Sequence, residues 1–322
     1  MDRSRRRPGV LIGAAALALA AAAPAAPPLK AMRWLAPGAD ASAILTLRPA
    51  ECLRAPTDSG TAYSVELGRA AFRTPLLLGG QAARAGVACE TCHQNGRANV
   101  NFDFPGLSGV PGTADVTSSL FSSHRGDGVD NPRPIPDLGG PKSALKVSQD
   151  RASPALEAFI HGLVTQEFDG AEPPPTVLRG LADYVRSMDP AACPATSPEH
   201  VTAVAALADA RRAAFSALAA IQHDDTAAAV VMIQSTRSQV GAIYERFAGA
   251  DLAPVRQSLA LADLDLRAAE DALRQGRSDR AEVRLTAWLA ELPPVSRAVR
   301  DGEGRSLYNP AVLSRAAHLA LP

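Results

Sequence analysis

The run Cys89-Glu90-Thr91-Cys92-His93 constrains this chain more than any other feature, because its spacing is typical of covalent haem attachment. Two cysteines three residues apart lie on the same side of a helical turn, so both thiols can add to the vinyl groups of one porphyrin. The histidine that follows supplies an imidazole to the iron. The motif therefore predicts one covalent haem c, with Cys89, Cys92 and His93 as cofactor-binding residues and His93 as a metal ligand.

Three other interpretations of this motif are a zinc half-site, a thiol redox pair and coincidence. Zinc needs two further ligands at a recognisable spacing, and the remaining cysteines, Cys52 and Cys193, are single and distant. A thioredoxin-like pair follows a strand within a βαβ pattern, and the sequence around the motif has no such pattern. Both comparisons favour haem.

The N-terminus carries the three parts of an export signal. Arginines at positions 3, 5, 6 and 7 precede an apolar run over 10–20, and Ala23-Pro24-Ala25 follows as a cleavage site with small residues. We expect a signal peptide over 1–26, removed on export to the periplasm. A retained anchor is the alternative, although the apolar run is shorter than the roughly 20 residues of a membrane span. We therefore expect no stable membrane span after cleavage.

An oxidising compartment permits a disulfide between Cys52 and Cys193. These cysteines bracket the region that contains the motif, and the two ends of a domain often lie close together. A disulfide that closes this region is one interpretation. Two buried free thiols are the other.

The chain changes character near residue 195. From about 50 to 193 it is rich in Gly and Pro, and beyond 197 it is alanine-rich and periodic. An aromatic content of 4% favours packed helices over a sandwich or barrel. We predict a mainly α protein with a signal peptide over 1–26, a linker over 27–49, a cytochrome c-like haem domain with long loops over 50–195, an antiparallel helical bundle over 197–300, and a C-terminal tail with a short helix over 301–322.

Four amphipathic helices joined by short turns make up the predicted bundle. We expect Gly276 to end the third helix and Pro293-Pro294 to end the fourth. The predicted apolar stripes are Val204, Leu207, Phe215 and Leu218; Val230, Ile233, Val240, Tyr244 and Phe247; Val255, Leu259, Leu266 and Leu273; and Leu285, Trp288, Leu289 and Leu292.

The phrase Leu67-Gly68-Arg69-Ala70-Ala71-Phe72 stands upstream of the motif. Followed by a loop and Cys-x-x-Cys-His, it resembles the bacterial cytochrome c peroxidase and MauG-like family over about residues 60 to 190. Family members usually carry two haem motifs, whereas this chain has one, and it lacks the Met-His-Asp-Gly segment that provides a methionine ligand. The resemblance implies a single-haem relative, or a simple cytochrome c whose closing helix covers 177–185.

The sixth iron ligand decides between electron transfer and reactivity, because a filled axial position blocks peroxide. His124 lies in a glycine-rich loop, where it is either a second metal ligand or distal-pocket residue, or a solvated histidine. We expect His161 at the surface, because it points away from the apolar stripe of its helix, and Met188 in the core. The sequence leaves the sixth ligand open among His124, His161, Met188 and none.

Four arginines are candidates to pair the haem propionates, because a planar guanidinium matches a carboxylate bidentately. Arg97, just after the haem histidine, is the first choice, and the others are Arg69, Arg73 and Arg125. The alternating prolines over 132–136 must run extended, as a stiff wall over the porphyrin.

The sequence thus predicts an exported single-haem c-type cytochrome that transfers electrons with a redox partner protein. One alternative is a haem peroxidase in which His124 or Asp127 assists O–O cleavage. The other is a haem-bearing sensor or partner-docking protein that uses the bundle. The 33 basic and 33 acidic residues balance, which gives no reason to expect a nucleic-acid partner.

Overall fold

The computed structural model describes residues 29–118, 120–193 and 198–320, and these residues are mainly helical. This confirms the predicted fold class at that level. The predicted signal peptide over 1–26 lies outside the described residues. None of the helices within the described ranges combines the length and the apolar character needed to cross a membrane.

The four helices between residues 203 and 303 have 20 to 26 residues each, and the other α-helices of the described ranges have 14 or fewer. The α-helices are α1 (Ala41–Thr46), α2 (Ser59–Phe72), α3 (Gly80–Ala85), α4 (Cys89–Cys92), α5 (Ala155–Gly162), α6 (Pro175–Ser187), α7 (Ala203–Gln222), α8 (Thr226–Arg246), α9 (Ala253–Arg274), α10 (Ser278–Glu303) and α11 (Pro310–Ala320). The strands form antiparallel pairs of two residues each: β1 (Leu47–Arg48) with β6 (Glu199–His200), β2 (His93–Gln94) with β3 (Arg97–Ala98), and β4 (Thr113–Ala114) with β5 (Arg133–Pro134).

Helices α2 and α6 cross at a pair of glycines. A Cβ added to Gly68 would lie 1.9 Å from the carbonyl oxygen of Gly180, so only glycine allows this approach. Beside the crossing, the rings of Phe72 and Tyr184 meet edge to face at 5.2 Å. The residues predicted as a closing helix, 177–185, are helical and lie within α6.

Helices α7 to α10 form a four-helix bundle in which each helix packs against the next and α10 returns against α7. The predicted stripes are correct at most positions but wrong at Val204, Phe215 and Tyr244, which are exposed. Small side chains fill the interface instead, because alanine lets two helices approach closely. The fully buried alanines of α7 are Ala203, Ala210, Ala214, Ala217 and Ala220.

Both predicted limits of the bundle need correction. The bundle begins at α7 and not at residue 197, because residues 199–200 form β6 instead of a helix. The N-cap of α7, Thr202, accepts a hydrogen bond from the Ala205 amide. The last helix of the bundle continues through Pro293-Pro294 to Glu303. The final turns bury Val299 and seat Gly302 against the Phe247 ring, and this packing offsets the backbone hydrogen bonds that the prolines remove. Helix α9 ends before Gly276, as predicted.

The segment predicted as a linker, 27–49, is folded over its described part. Helix α1 packs against α11, and their buried side chains form a second small core around Leu45 and Leu313. Strand β1 follows and pairs with β6, with Leu47 opposite His200. The chain therefore enters the motif region after β1 and leaves it before β6, and these two strands are neighbours. The apolar side chains of the two terminal segments bury one another.

The disulfide between Cys52 and Cys193 closes the region between these strands, with a Cα–Cα distance of 5.3 Å. Next to it the Asp189 amide donates to the Cys52 carbonyl at 2.9 Å, and the Arg54 amide donates to the Ser187 carbonyl at 2.8 Å. The first of the two interpretations of this cysteine pair is confirmed.

Candidate haem-attachment site

Helix α4 is a single turn that carries both cysteines of the motif. Their thiols are free, and their spacing sets them on one side of the turn. The turn is fixed at its start by a hydrogen bond of 3.0 Å from the Ala88 amide to the Thr91 hydroxyl. Burial raises the pKa of the Cys89 and Cys92 thiols to about 12, so both are protonated at neutral pH. Redox-active and metal-binding cysteines need the thiolate instead.

The imidazole of His93 is held in one tautomer by the backbone. Its Nδ1 lies 3.0 Å from the carbonyl oxygen of Pro136. A carbonyl oxygen can only accept, so Nδ1 carries the proton and Nε2 keeps a lone pair. Burial lowers the pKa of His93 to about 4, so the ring is neutral at neutral pH. A neutral ring with a hydrogen-bonded Nδ1 is the form in which histidine binds a metal through Nε2.

The proline-rich segment is anchored beside the motif at both ends. On its N-terminal side β5 pairs with β4, and on its C-terminal side the Leu138 amide donates to the Gly96 carbonyl at 2.9 Å. The guanidinium of Arg97 pairs with Asp137 at 2.8 Å. The segment predicted as a wall over the porphyrin therefore contacts the Nδ1 edge of His93 with its Pro136 carbonyl. Arg97 keeps 40% of its side chain exposed.

Asn95 ties the loop after the motif to the rest of the fold. Its amide nitrogen donates to the Glu90 carboxylate at 3.1 Å, its side-chain oxygen accepts from Arg73 at 2.8 Å, and its side-chain nitrogen donates to the Pro49 carbonyl at 2.7 Å. Its φ of 49° lies in the left-handed region, which asparagine tolerates better than most residues. Sequence reasoning missed Asn95, and the Asn-Gly pair after the motif was the available signal.

A buried ion network centred on Glu51 lies behind the motif. Its carboxylate accepts from Arg69 at 2.7 Å, from Arg73 at 2.9 Å and from the Tyr184 hydroxyl at 2.6 Å. Arg69 also pairs with Asp209 of α7 at 2.7 Å. Burial alone raises the pKa of Glu51, but Arg73 and Arg69 outweigh it and hold that pKa well below its usual range. The network therefore links α2, α6 and the bundle.

The network gives Arg69 and Arg73, two of the predicted propionate arginines, a different role. Arg69 and Arg73 are almost fully buried and their charges are met by Glu51 and Asp209, two acids that sequence reasoning missed. The available signal was a pair of arginines four residues apart on the buried face of an amphipathic helix, because buried charges need partners. Arg125, the fourth candidate, pairs with Glu167 in a more exposed position.

The candidates for the sixth ligand lie in three different places. His124 is exposed, and its backbone amide donates to the Ser122 hydroxyl at 3.0 Å. His161 is part-exposed, as predicted, with Nε2 2.8 Å from a Glu172 oxygen. Met188 is 2% exposed and its sulfur packs on Gly96, where a Cβ would lie 2.4 Å from Sδ. The predicted core packing of Met188 is confirmed.

The upstream phrase has clear packing roles in this structure. Gly68 makes the helix crossing, Arg69 enters the ion network, and the Phe72 ring lies 6.4 Å from the His93 ring, centroid to centroid. Across the described ranges, no group of three or more His, Cys, Asp or Glu side chains converges in a way that could hold a metal ion. No protein-family model, curated protein or solved structure matches the chain.

Proposed function

We propose that this protein is an exported single-haem c-type cytochrome that carries electrons. The observation that supports this most strongly is the hydrogen bond from His93 to the Pro136 carbonyl, directly after two free thiols on one turn. The tautomer leaves Nε2 free for iron, and two thiols three residues apart on one turn have the spacing that attachment to one porphyrin needs. These residues therefore fit a haem c.

Each residue of the site has a separate task. Cys89 and Cys92 would each form a thioether by adding sulfur to one vinyl carbon and the thiol proton to the other, which needs no oxidant. His93 would bind the iron through Nε2, and the Pro136 carbonyl keeps that ring oriented. When bound, the haem supplies one-electron transfer. Of the two propionate candidates outside the buried network, Arg97 and Arg125, Arg97 follows the motif directly and lies at a half-exposed edge of the site.

Electron transfer has more support than peroxidase chemistry. The acid and base residues of the peroxidase alternative sit in the exposed loop after Phe121. The Asp127 carboxylate accepts a hydrogen bond from the Val129 amide at 2.8 Å, and His124 projects into solvent. The upstream phrase that carries the peroxidase resemblance has the packing roles described above. An electron carrier needs neither His124 nor Asp127.

The disulfide supports an oxidising compartment, and we propose the periplasm on this ground together with the predicted signal peptide. Electron transfer implies a redox partner protein. The bundle joins the haem region through the Arg69–Asp209 pair, so a partner that docks on the bundle would contact a body continuous with the site.

The test is haem retention after acid extraction of the full-length protein, expressed with a periplasmic haem-attachment system. We expect the haem colour to stay with the wild-type polypeptide and to be lost from Cys89→Ser/Cys92→Ser. The matched control is Cys52→Ser/Cys193→Ser, which also removes two sulfurs but leaves the attachment residues intact. Retention in the first variant, or extraction from the wild type, would rule out the proposed attachment.

Spectra of the ferric protein distinguish a carrier from a peroxidase. A low-spin wild type that becomes high-spin in one of His124→Ala, His161→Ala or Met188→Leu identifies the sixth ligand and supports a carrier. A high-spin wild type that forms an oxidised intermediate with peroxide favours the peroxidase alternative.

A further inference from the structure

Two cavities adjoin on the side of α4 that faces away from the cysteines. Their volumes are about 240 and 270 Å³, and both are lined by Arg48, Glu90, Thr91, Val201 and Arg246. The two residues between the cysteines, Glu90 and Thr91, point to the opposite side of the helical turn from the thiols. These two residues line both cavities. The cavities are therefore separate from the attachment residues.

Three arginines that line this space each carry a buried nitrogen atom without a hydrogen-bond partner among the described residues. These atoms are Nε of Arg48, Nε of Arg73 and Nη1 of Arg246. The Arg73 side chain is 5% exposed. Buried donors are almost always satisfied in folded proteins, because an unsatisfied buried donor destabilises the fold. Three such atoms around one pair of cavities indicate a missing acceptor.

The charges around the cavities are unbalanced in favour of the cations. The lining acids are Glu90 and Asp209, and both are already engaged, with the Asn95 amide and Arg69 respectively. Arg48 and Arg246 form no ion pair with any residue in the described ranges. Burial also lowers the pKa of Arg246, as expected for a guanidinium whose charge is not fully met. An anion would meet both charges.

The two cavities differ in the character of their walls. The smaller one is lined mainly by apolar side chains, including Trp34, Leu35, Ile44, Leu45 and Phe102. The larger one is lined by hydroxyl and amide groups as well as Arg73, among them Thr202, Ser238, Gln239 and Tyr308. An occupant that satisfies both therefore has a charged head and an apolar body.

We propose that the paired cavities bind a small amphipathic oxyanion, whose carboxylate or phosphate head pairs with Arg48 and Arg246 and whose apolar body packs against Trp34. Guanidinium groups match both head groups bidentately. The proposal does not depend on haem, because none of its residues belongs to the motif face of α4.

The test is calorimetric titration of the full-length holoprotein with octanoate, octyl phosphate and inorganic phosphate. We expect saturable binding of one octyl ligand per chain, and weaker binding of inorganic phosphate, which lacks the apolar body. The stronger of the two octyl ligands identifies the head group. Arg48→Gln is expected to weaken binding about tenfold or more, because a charge-assisted hydrogen bond is lost. The exposed Arg267→Gln on α9 is the matched control and should bind as the wild type does.

Arg48→Gln is the informative variant, because its side chain makes no hydrogen bond to a described residue. Arg246→Gln is less clean, since that side chain also donates to the Leu45 carbonyl and stacks over Tyr308. A second variant, Ile44→Trp, fills the apolar cavity and should abolish octyl binding while sparing the arginines. Equal affinity in wild type and Arg48→Gln, or no binding of any probe, would overturn the proposal and leave ordered water as the occupant. Cys89→Ser/Cys92→Ser should bind octyl ligands normally, which separates this proposal from haem attachment.

Discussion

The haem-motif region and the helical bundle are held together by different interactions. The bundle consists of helices of 20 to 26 residues that bury regular stripes of apolar and alanine side chains. The region between Cys52 and Cys193 has short helices and long loops, and it relies on a disulfide, a glycine crossing and a buried ion network. Stability in the bundle is spread over many small contacts. In the motif region it depends on a few specific pairs.

The disulfide should have the largest effect of these pairs. It joins residues separated by 141 positions, and constraining so long a loop in the unfolded chain stabilises the fold by about 4–5 kcal/mol. We expect Cys52→Ser/Cys193→Ser to lower the free energy of unfolding by that amount in urea titrations. A loss below about 1 kcal/mol would show that the backbone hydrogen bonds at Cys52 and Arg54 suffice to close the region.

Removing the charge of Glu51 should come next. Glu51→Gln leaves Arg69 and Arg73 short of a buried partner, which costs about 3–4 kcal/mol in urea titrations at pH 7. The control is Asp251→Asn, which removes an acid from the exposed pair with Arg305 and should cost under about 1 kcal/mol. Similar losses in both variants would contradict the importance of burial.

The same carboxyl gives a pH dependence of stability. The pKa of Glu51 is lower in the folded protein than its ordinary value of 4.5, so the unfolded chain binds more protons in acid. Its contribution is complete above about pH 5 and declines as the pH falls below that ordinary value. Urea titrations between pH 3 and 7 should show a steeper acid loss in the wild type than in Glu51→Gln. Parallel curves would contradict the lowered pKa.

The two regions should also differ in their response to one added methyl group, and the glycine crossing of α2 and α6 is the crowded case. Gly68→Ala places a Cβ against the Gly180 backbone, so α2 and α6 must move apart, at a cost of about 2–3 kcal/mol. Thermal unfolding at fixed protein concentration measures this loss. An unchanged melting temperature would mean that the helices can separate freely.

The matched substitution in the bundle should have the smallest effect and the opposite sign. Gly241 lies within α8, and a Cβ there would meet nothing within 4 Å. Gly241→Ala should stabilise the protein by about 0.5–1 kcal/mol, because alanine loses less backbone entropy in a helix. Destabilisation instead would mean that α8 needs flexibility at this point.

The sequence was most informative where local pattern decides the structure. Helical periodicity correctly marked Leu207, Leu259 and Leu285 as buried, because a stripe repeats whatever its partner is. It failed at Phe215 and at Pro293-Pro294, where tertiary packing of alanines and of Gly302 overrides local preference. At the site, motif spacing predicted Cys89, Cys92 and His93, and the structure sets both thiols on one turn followed by a histidine with a hydrogen-bonded Nδ1. The arginine pair indicated that buried acids must exist, but not that they are Glu51 and Asp209. These two partners and the Pro136 carbonyl depend on long-range contacts, which leave no periodic signal.

Covalent haem attachment is tested most directly by the intact mass of the protein, purified from the periplasm and measured under denaturing conditions. We expect the wild-type polypeptide to be heavier by one haem, and Cys89→Ser/Cys92→Ser to have the mass of the polypeptide alone. A wild-type chain with no added haem mass, despite an active attachment system, would contradict the assignment of this site.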